Sequence, residues 1–598
     1  MSQAPQNQQP DRIQRRRFPR LPHISTTLET VTLLLFTAFF LFYGLTPFFG
    51  GDGLGLVGAD EPRYAQIAHE MLSKLDAAHT IRERLGACVT PYLYGLPWLE
   101  KPALYYWRAM FAFKEFGVHD WSARLPSAGF GFLLVTLSYL HMRRFRRGGQ
   151  LDAALITASC IGILSFSRGA STDMQMAAPF CIGMLGWYAW YETNSKFWLF
   201  DIYFFVGAAT LAKGPVAPFL ALCILVAFAA LRKEWSLLRR TIWWPGVVLY
   251  FAMVLPWFIA VQRANPSFFR EFFLEHNLER FATNRFQHSQ PFWYYLPILL
   301  IALSPWTVIA IRALMDAFKE SVKEWRLRHS KNPAREPQQT GDAFPEFLIL
   351  WALIPVLFFS LSRSKLPGYI LPSVPPITIL AGDFLNRKRK TGLLSITVFL
   401  HAVLVGALLA FLLTMPWHIV HGWSWPPAAL TIPASVTGLS ATVLILLVVF
   451  RFGIKQLRLA TTIPMVVAVL FLYGIGPIFG IGEISETKRT ALLLDASYSA
   501  RPLEYQLEQV APIDETVGVY SVRRDVEYGL AFYRNREVVN YEHAPVPAEK
   551  HLLVVRDVRL KDGSQSAADL GEYLKDRQYK YLFSYPAQSL HVYEVMAR

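Results

Sequence analysis

Carboxylates and cations recur in short stretches of this chain whose makeup suggests chemistry on a charged substrate. Gly58-Ala59-Asp60-Glu61-Pro62-Arg63-Tyr64-Ala65 comes first, and Pro97-Trp98-Leu99-Glu100-Lys101-Pro102 second. Ser167-Arg168-Gly169-Ala170-Ser171-Thr172-Asp173 then sets a carboxylate at the start of an apolar run. Lys213-Gly214-Pro215, Glu275-His276-Asn277-Leu278-Glu279-Arg280-Phe281 and Ser362-Arg363-Ser364-Lys365-Leu366-Pro367-Gly368-Tyr369 supply further cations. Each has a structural explanation. Asp60, ahead of Pro62, and Asp173 can cap helix N-termini, where free N–H groups and the dipole favour a negative charge. Lys101 can snorkel to a membrane interface. A cap needs neither Glu61 nor Arg63 beside it, however, and so many cations on one face are what a phosphate headgroup requires, since it is held by charge-assisted hydrogen bonds. His276 with Glu100 or Glu275 offers the beginnings of a divalent metal site, short of a full ligand set. The chain has no P-loop, no Rossmann glycine fingerprint and no nucleophile elbow.

The elements that must position these residues are membrane helices. Of 598 residues, 53% are hydrophobic and 17% charged, against about 25% charged in soluble domains. Repeated apolar runs extend to about 20 residues, the length of a bilayer-spanning helix. They are continuous rather than alternating, which excludes a porin-like barrel. Thirteen spans are predicted, at 28–49, 122–142, 151–169, 173–191, 197–212, 214–231, 242–261, 292–312, 345–361, 369–386, 392–415, 430–450 and 460–480. The first run is too long for a signal peptide and no small-residue cleavage site follows it, so the N-terminus is expected in the cytoplasm. The segments then predicted to be cytoplasmic hold 27 Lys and Arg, and the short outer connections hold three, Lys213, Arg363 and Lys365. That bias accounts for most of the net charge of +15 and makes nucleic acid an unsuitable partner.

This threading gives a basic cytoplasmic tail at 1–27, a transmembrane domain at 28–483 with outer-face loops 50–121 and 262–291, and a soluble α/β domain at 484–598 outside the cytoplasm. In that last domain, strands are expected at Thr516–Val522, Glu537–Tyr541, His551–Val555, Tyr579–Tyr585 and Leu590–Val595, and a helix at Ala567–Asp576. Gln66 to Leu75 is expected to form an amphipathic helix on the membrane surface. Four cysteines are too few for a disulfide framework. Cys160, Cys181 and Cys223 read as small core residues, and Cys88 stands in a polar loop.

Taken in order, the motifs from Asp60-Glu61-Pro62-Arg63-Tyr64-Ala65 through Trp98-Leu99-Glu100-Lys101-Pro102, Asp173, Lys213-Gly214-Pro215, His276-Asn277, Arg280-Phe281, Pro291-Phe292-Trp293-Tyr294-Tyr295 and Ser364-Lys365-Leu366-Pro367-Gly368-Tyr369 resemble the bacterial lipid A aminoarabinose transferases. These lie within the protein O-mannosyltransferase superfamily of GT-C type. The resemblance covers about residues 28–480. It implies a polyprenyl-phosphate-linked sugar donor, no nucleotide sugar, an envelope acceptor such as lipid A, and transfer with inversion at the periplasmic face of the inner membrane. By motif, Asp60 and Asp173 would be the essential carboxylates, with Glu61 beside them and Tyr369 a further active-site group. Arg63, Lys101, Lys213 and Arg280 would hold the carrier phosphate, Arg363 and Lys365 would also bind substrate, and Glu100 and His276 would be metal or structural partners. The loop from Leu75 to Pro97 looks expanded relative to the family. A related transferase with another sugar or acceptor, a polyprenyl-lipid transporter and a sensor are the competing readings. A transporter would favour inverted repeats and charges at the bilayer midplane, whereas here the charges cluster at one face.

Overall fold

Apolar side chains all around a helix demand burial in protein or lipid, and that demand shapes residues 120–473. The computed structural model describes residues 54–279, 281, 289–328, 342–388, 395–421, 423–473, 495–556, 573–574 and 577–598, with 31, 33–35, 37 and 38. Six helices among them are long and apolar enough to cross a membrane, and eight if each of two bent pairs counts as one span. The chain is an integral membrane protein. Thr172–Thr193 runs through the centre, buried from Met174 to Trp190. It packs against Asp120–Phe145 and Phe197–Lys213.

Two spans expected to be single helices are broken. Gln150–Ser159 and Ile161–Ser167 meet at 61°, because Cys160 between them is extended. Phe292–Ala302 and Thr307–Arg326 meet at 115°. Pro305 lies in that break and has no N–H to continue a helix. Beyond it, Arg312, Asp316, Lys319, Glu320 and Lys323 make the second piece amphipathic. The first predicted span lies mostly outside the described residues.

Asp60–Asp76 is a helix, but not one laid on a lipid surface. Its residues from Glu61 to Ala68, with Met71 and Leu72, are buried. It is packed between Leu104–Phe116 and Arg524–Arg534, so protein rather than lipid covers the apolar face expected at Gln66–Leu75. The expanded loop after it forms a short helix, Ile81–Ala87, and a hairpin of β1 (Tyr92–Leu93) and β2 (Leu96–Pro97).

Residues 495–598 carry a five-stranded mixed sheet. Its strands are β3 (Val517–Tyr520), β4 (Val539–Asn540), β5 (His551–Arg556), β6 (Tyr579–Tyr585) and β7 (Leu590–Val595), in the order β4-β3-β5-β7-β6. β3 is parallel to β4 and β5, and β7 is antiparallel to β5 and β6. Helices Arg501–Leu507 and Arg524–Arg534 complete this part. Most of the predicted helix Ala567–Asp576 lies outside the described residues.

Polar bonds gather at the two ends of the bundle. At one end, Arg146 pairs with Glu192 and Asp342, Arg232 with Glu346, and Arg387 with Glu320. At the other, Gly55 N donates to Asp495, Arg501 pairs with Asp120, and Val57 bridges to Ser499. The first set joins residues in or at the edge of segments predicted to be cytoplasmic, and the second joins segments predicted to lie outside. Each set is internally consistent because one straight helix carries its termini to opposite sides of a bilayer.

Candidate active site

The second end holds a cavity of about 550 Å³. Four pieces of chain close around it, one of them Glu100-Lys101. Phe197–Lys213 ends at Lys213, and Gly214 follows at φ +84°, in the left-handed region that favours glycine. A Cβ on Gly214 would also lie 2.6 Å from the Phe272 ring, so the turn that presents Lys213 packs directly on the second piece, Phe269–Glu279. The third piece is the end of Phe344–Leu361 with the following loop to Tyr369.

The polar lining is Glu100, Lys101, Lys213, His276, Asn277, Ser362, Ser364 and Tyr369, and seven phenylalanines, Phe219 and Phe358 among them, supply apolar wall. Phe358 lies 5.0 Å from Phe281 and 5.1 Å from Phe219, ring centre to ring centre. Lys213 pairs with Asp173 and stands 4.8 Å from the centre of the Tyr369 ring. Asp173 is the second residue of its helix, whose N-cap is Ser171. Gly368 is pressed against it, since a Cβ there would come within 2.6 Å of the Asp173 carboxyl carbon. Chain elements remote in sequence thus bring Lys101, Asp173, Lys213 and Tyr369 to one place.

Asp60 and Arg63 stand beside this group rather than in the cavity lining. Asp60 makes no capping bond; Ala59 is the N-cap, and Asp60 instead accepts from Arg63 at 2.5 Å. Half of the Asp60 side chain is exposed, at 52%. Arg63 lies 4.0 Å from Glu100, which pairs with Lys101 at 2.9 Å. The Arg63 guanidinium stacks on Trp98, Tyr64 and Tyr528 at 5.0, 5.1 and 5.6 Å. Burial opposes its charge, yet the surrounding Tyr64, Glu100 and Asp60 hold it above the ordinary arginine range. Asp60–Arg63–Glu100–Lys101 is therefore a chain of alternating charges leading to the cavity.

Glu61 has another environment. Its carboxylate accepts from Val57 N and Ala170 N, each at 2.8 Å. It also accepts from Arg124 Nη2 at 2.6 Å and Nε at 3.2 Å. Arg124 donates onward to the carbonyls of Leu54 and Gly55. Lys365 is likewise occupied. It is buried and donates to the carbonyls of Gln290 and Ser362, which ties the loop together. Burial, then the nearby Arg363, lowers its pKa. Arg363 itself is exposed, and Arg280 lies outside the described residues.

Glu100 and His276 both line the cavity, as a metal pair would require. A pair falls short of a ligand set, and among the described residues no three His, Cys, Asp or Glu side chains gather. The sequence reading missed the phenylalanine wall, Arg124 and Tyr528. Phe272-Phe273 was visible as a doublet in the predicted loop 262–291, whereas no local signal marks the other two.

Residues 100–259 match the dolichyl-phosphate-mannose-protein mannosyltransferase family. The chain is 32% identical over 396 residues to the undecaprenyl phosphate-alpha-4-amino-4-deoxy-L-arabinose arabinosyl transferase of Pseudomonas paraeruginosa, over 63% of this chain and 65% of that one. It is 32% identical over 368 residues to the enzyme of the same name from Pseudomonas aeruginosa, over 60% of each. The match spans less than two thirds of the length of these relatives. The fold is that of ArnT from Cupriavidus metallidurans, in its crystal structure bound to undecaprenyl phosphate, with a TM-score of 0.66 and 21% identity over 96% of this chain and 98% of that one. The likeness read from the motifs therefore extends to sequence and fold.

Proposed function

We propose that this chain, a relative of the undecaprenyl-phosphate aminoarabinose transferases, is a membrane glycosyltransferase that moves 4-amino-4-deoxy-L-arabinose from undecaprenyl phosphate to a phosphate of lipid A. The observation that carries this reading is a cavity combining Lys101 and Lys213 with seven phenylalanines. A polyprenyl phosphate has the same two parts, an isoprenoid chain for apolar walls and a phosphate for ammonium groups.

In the reaction an acceptor oxygen forms a bond to the anomeric carbon. The bond from that carbon to the carrier phosphate breaks, and the electron pair leaves with the phosphate. Lys101 and Lys213 neutralise the departing charge, and placing cations where charge develops lowers the barrier. Asp173 orients Lys213, and Tyr369 closes that side. The transition state has oxocarbenium character, which a nearby carboxylate stabilises. Asp60, the most exposed of the clustered acids, takes that role and pairs with the sugar ammonium. A lipid A phosphate is already a nucleophile and needs no base, whereas a hydroxyl acceptor would use Asp60 as one. Arg63 positions Asp60 and Glu100, and Glu61 with Arg124 braces the segment that holds them. Arg363 and Lys365 belong to the loop beside the cavity, which Lys365 ties together through its bonds to backbone carbonyls.

The reading also places thirteen spans in the bacterial inner membrane, with the cavity and residues 484–598 in the periplasm and 1–27 in the cytoplasm. It is supported by the charge bias of the loops and by the two sets of polar bonds that gather at opposite ends.

The test is to incubate the purified full-length protein with lipid A and undecaprenyl-phosphate aminoarabinose and weigh the lipid A by mass spectrometry. The expected result is the gain of one aminosugar, lost in Asp60→Asn while donor binding persists. Folded protein that binds donor and transfers nothing would reject this sugar or acceptor. Donor crossing a liposome membrane without any transfer would favour a transporter.

A further inference from the structure

A second cavity, of about 710 Å³, opens at the opposite end of the bundle. Thr172–Thr193 places it. Asp173 stands at the start of that helix, and Gly186, which lines the second cavity, comes thirteen residues later, ~20 Å along the axis at 1.5 Å per residue. The walls are apolar, with Leu185 and Trp198 among them, and Arg143, Arg144 and Arg147 line it too. One further residue is out of keeping with such walls. Asp201 lies on the apolar helix Phe197–Lys213, one of the predicted spans, and faces the same cavity.

Asp201 is seated against Gly186: a Cβ on that glycine would lie 2.4 Å from the Asp201 Cβ. The close crossing of the two helices fixes the carboxylate at the cavity wall. Among the described residues no cation pairs with it. A carboxylate in a membrane segment is costly unless something of opposite charge or a hydrogen-bond donor meets it. The arginines of the lining are not its partners among the described residues. The cavity therefore has a cationic part, a separate anionic group and apolar walls. An anionic lipid would satisfy the arginines and leave the carboxylate opposed. A zwitterionic aminophospholipid matches all three features, with phosphate for arginine, ammonium for carboxylate and acyl chain for the apolar wall.

We propose that the cavity lined by Arg143, Arg144, Arg147 and Asp201 is a binding site for a phospholipid with a protonated primary amine. The proposal stands apart from the transferase reading, because the site shares no lining residue with the donor cavity.

The test is native mass spectrometry of the full-length protein in detergent with equal amounts of phosphatidylethanolamine and phosphatidylglycerol bearing the same acyl chains. The parent should retain the ethanolamine lipid about tenfold more, as a single charge-assisted bond gives. Asp201→Asn should abolish that preference, and Asp201→Glu should keep it. Arg147→Gln should weaken retention of both lipids. Equal or greater retention of phosphatidylglycerol by the parent overturns the proposal, as does an undiminished preference in Asp201→Asn. The parent's own selectivity decides the matter if a variant fails to fold.

Discussion

Two carboxylates near the N-terminal ends of helices face different fates in this protein. Glu61 lies in a sealed junction, where two backbone N–H groups and two guanidinium nitrogens donate to it. Asp173 sits at the edge of an open cavity, paired with a lysine that lines that cavity. Both acids are paired with a cation, so pairing does not distinguish them. What differs is saturation. A carboxylate has about four lone-pair sites, and Glu61 has four donors, which leaves nothing for a substrate. Lys213 reaches the cavity with further N–H bonds to give. The lesson is that an ion pair closed on itself builds structure, and one that opens on a cavity is available for chemistry.

Four measurements would break or sharpen this contrast. Glu61→Ala leaves Arg124 buried without its partner, and a broken buried pair costs about 3–5 kcal/mol. A large fall in Tm is expected, with turnover per folded molecule nearly kept; normal Tm with lost turnover would reverse the contrast. Asp173→Asn should do the opposite. The side chain keeps its shape while Lys213 loses its anion, and transfer should fall by about 10²–10³, the scale for loss of one electrostatic catalytic contact, with Tm little changed.

Phe219→Ala tests the apolar wall of the cavity. Phe219 is 47% exposed, so folding should tolerate the change, and losing about half of a phenylalanine's burial should raise the donor KM about fivefold. An unchanged donor KM would remove the wall from the donor site. The smallest effect concerns a third pair, Glu504–Arg534, sealed in the C-terminal part at 2.8 Å. Burial pushes Glu504 up to about 7, against the pull of Arg534. The folded state then holds a proton that the unfolded state releases near 4.5, so stability falls as pH rises through that window. Glu504→Gln should flatten the Tm-versus-pH profile between about pH 4.5 and 7, by at most about 1.4 kcal/mol per pH unit; an unaltered slope would show that the pair does not titrate there.

Much of this was legible in the sequence because the membrane imposes a simple rule. Long apolar runs must be helices, and helices occur at each predicted span that the structure describes. Short runs rich in apolar and β-branched residues likewise announced all five strands of the C-terminal sheet within a few residues. The helix Arg524–Arg534 went unread, although Val526, Leu530 and Tyr533 repeat at helical spacing. Its short amphipathic pattern lies between strands and becomes distinctive only once it packs on Asp60–Asp76.

The sequence by itself determined the membrane class, the helical elements and the clustering of charged motifs, because hydropathy and charge act locally along the chain. It could not separate Glu61 from Asp173, place Tyr528 on Arg63, break the span at Cys160 or gather phenylalanines from three segments around two lysines. Those outcomes depend on which distant groups meet, and hydrogen-bond saturation and cavity shape exist only once the helices have packed. Tertiary structure therefore decided which charged residues brace the fold and which face the cavity.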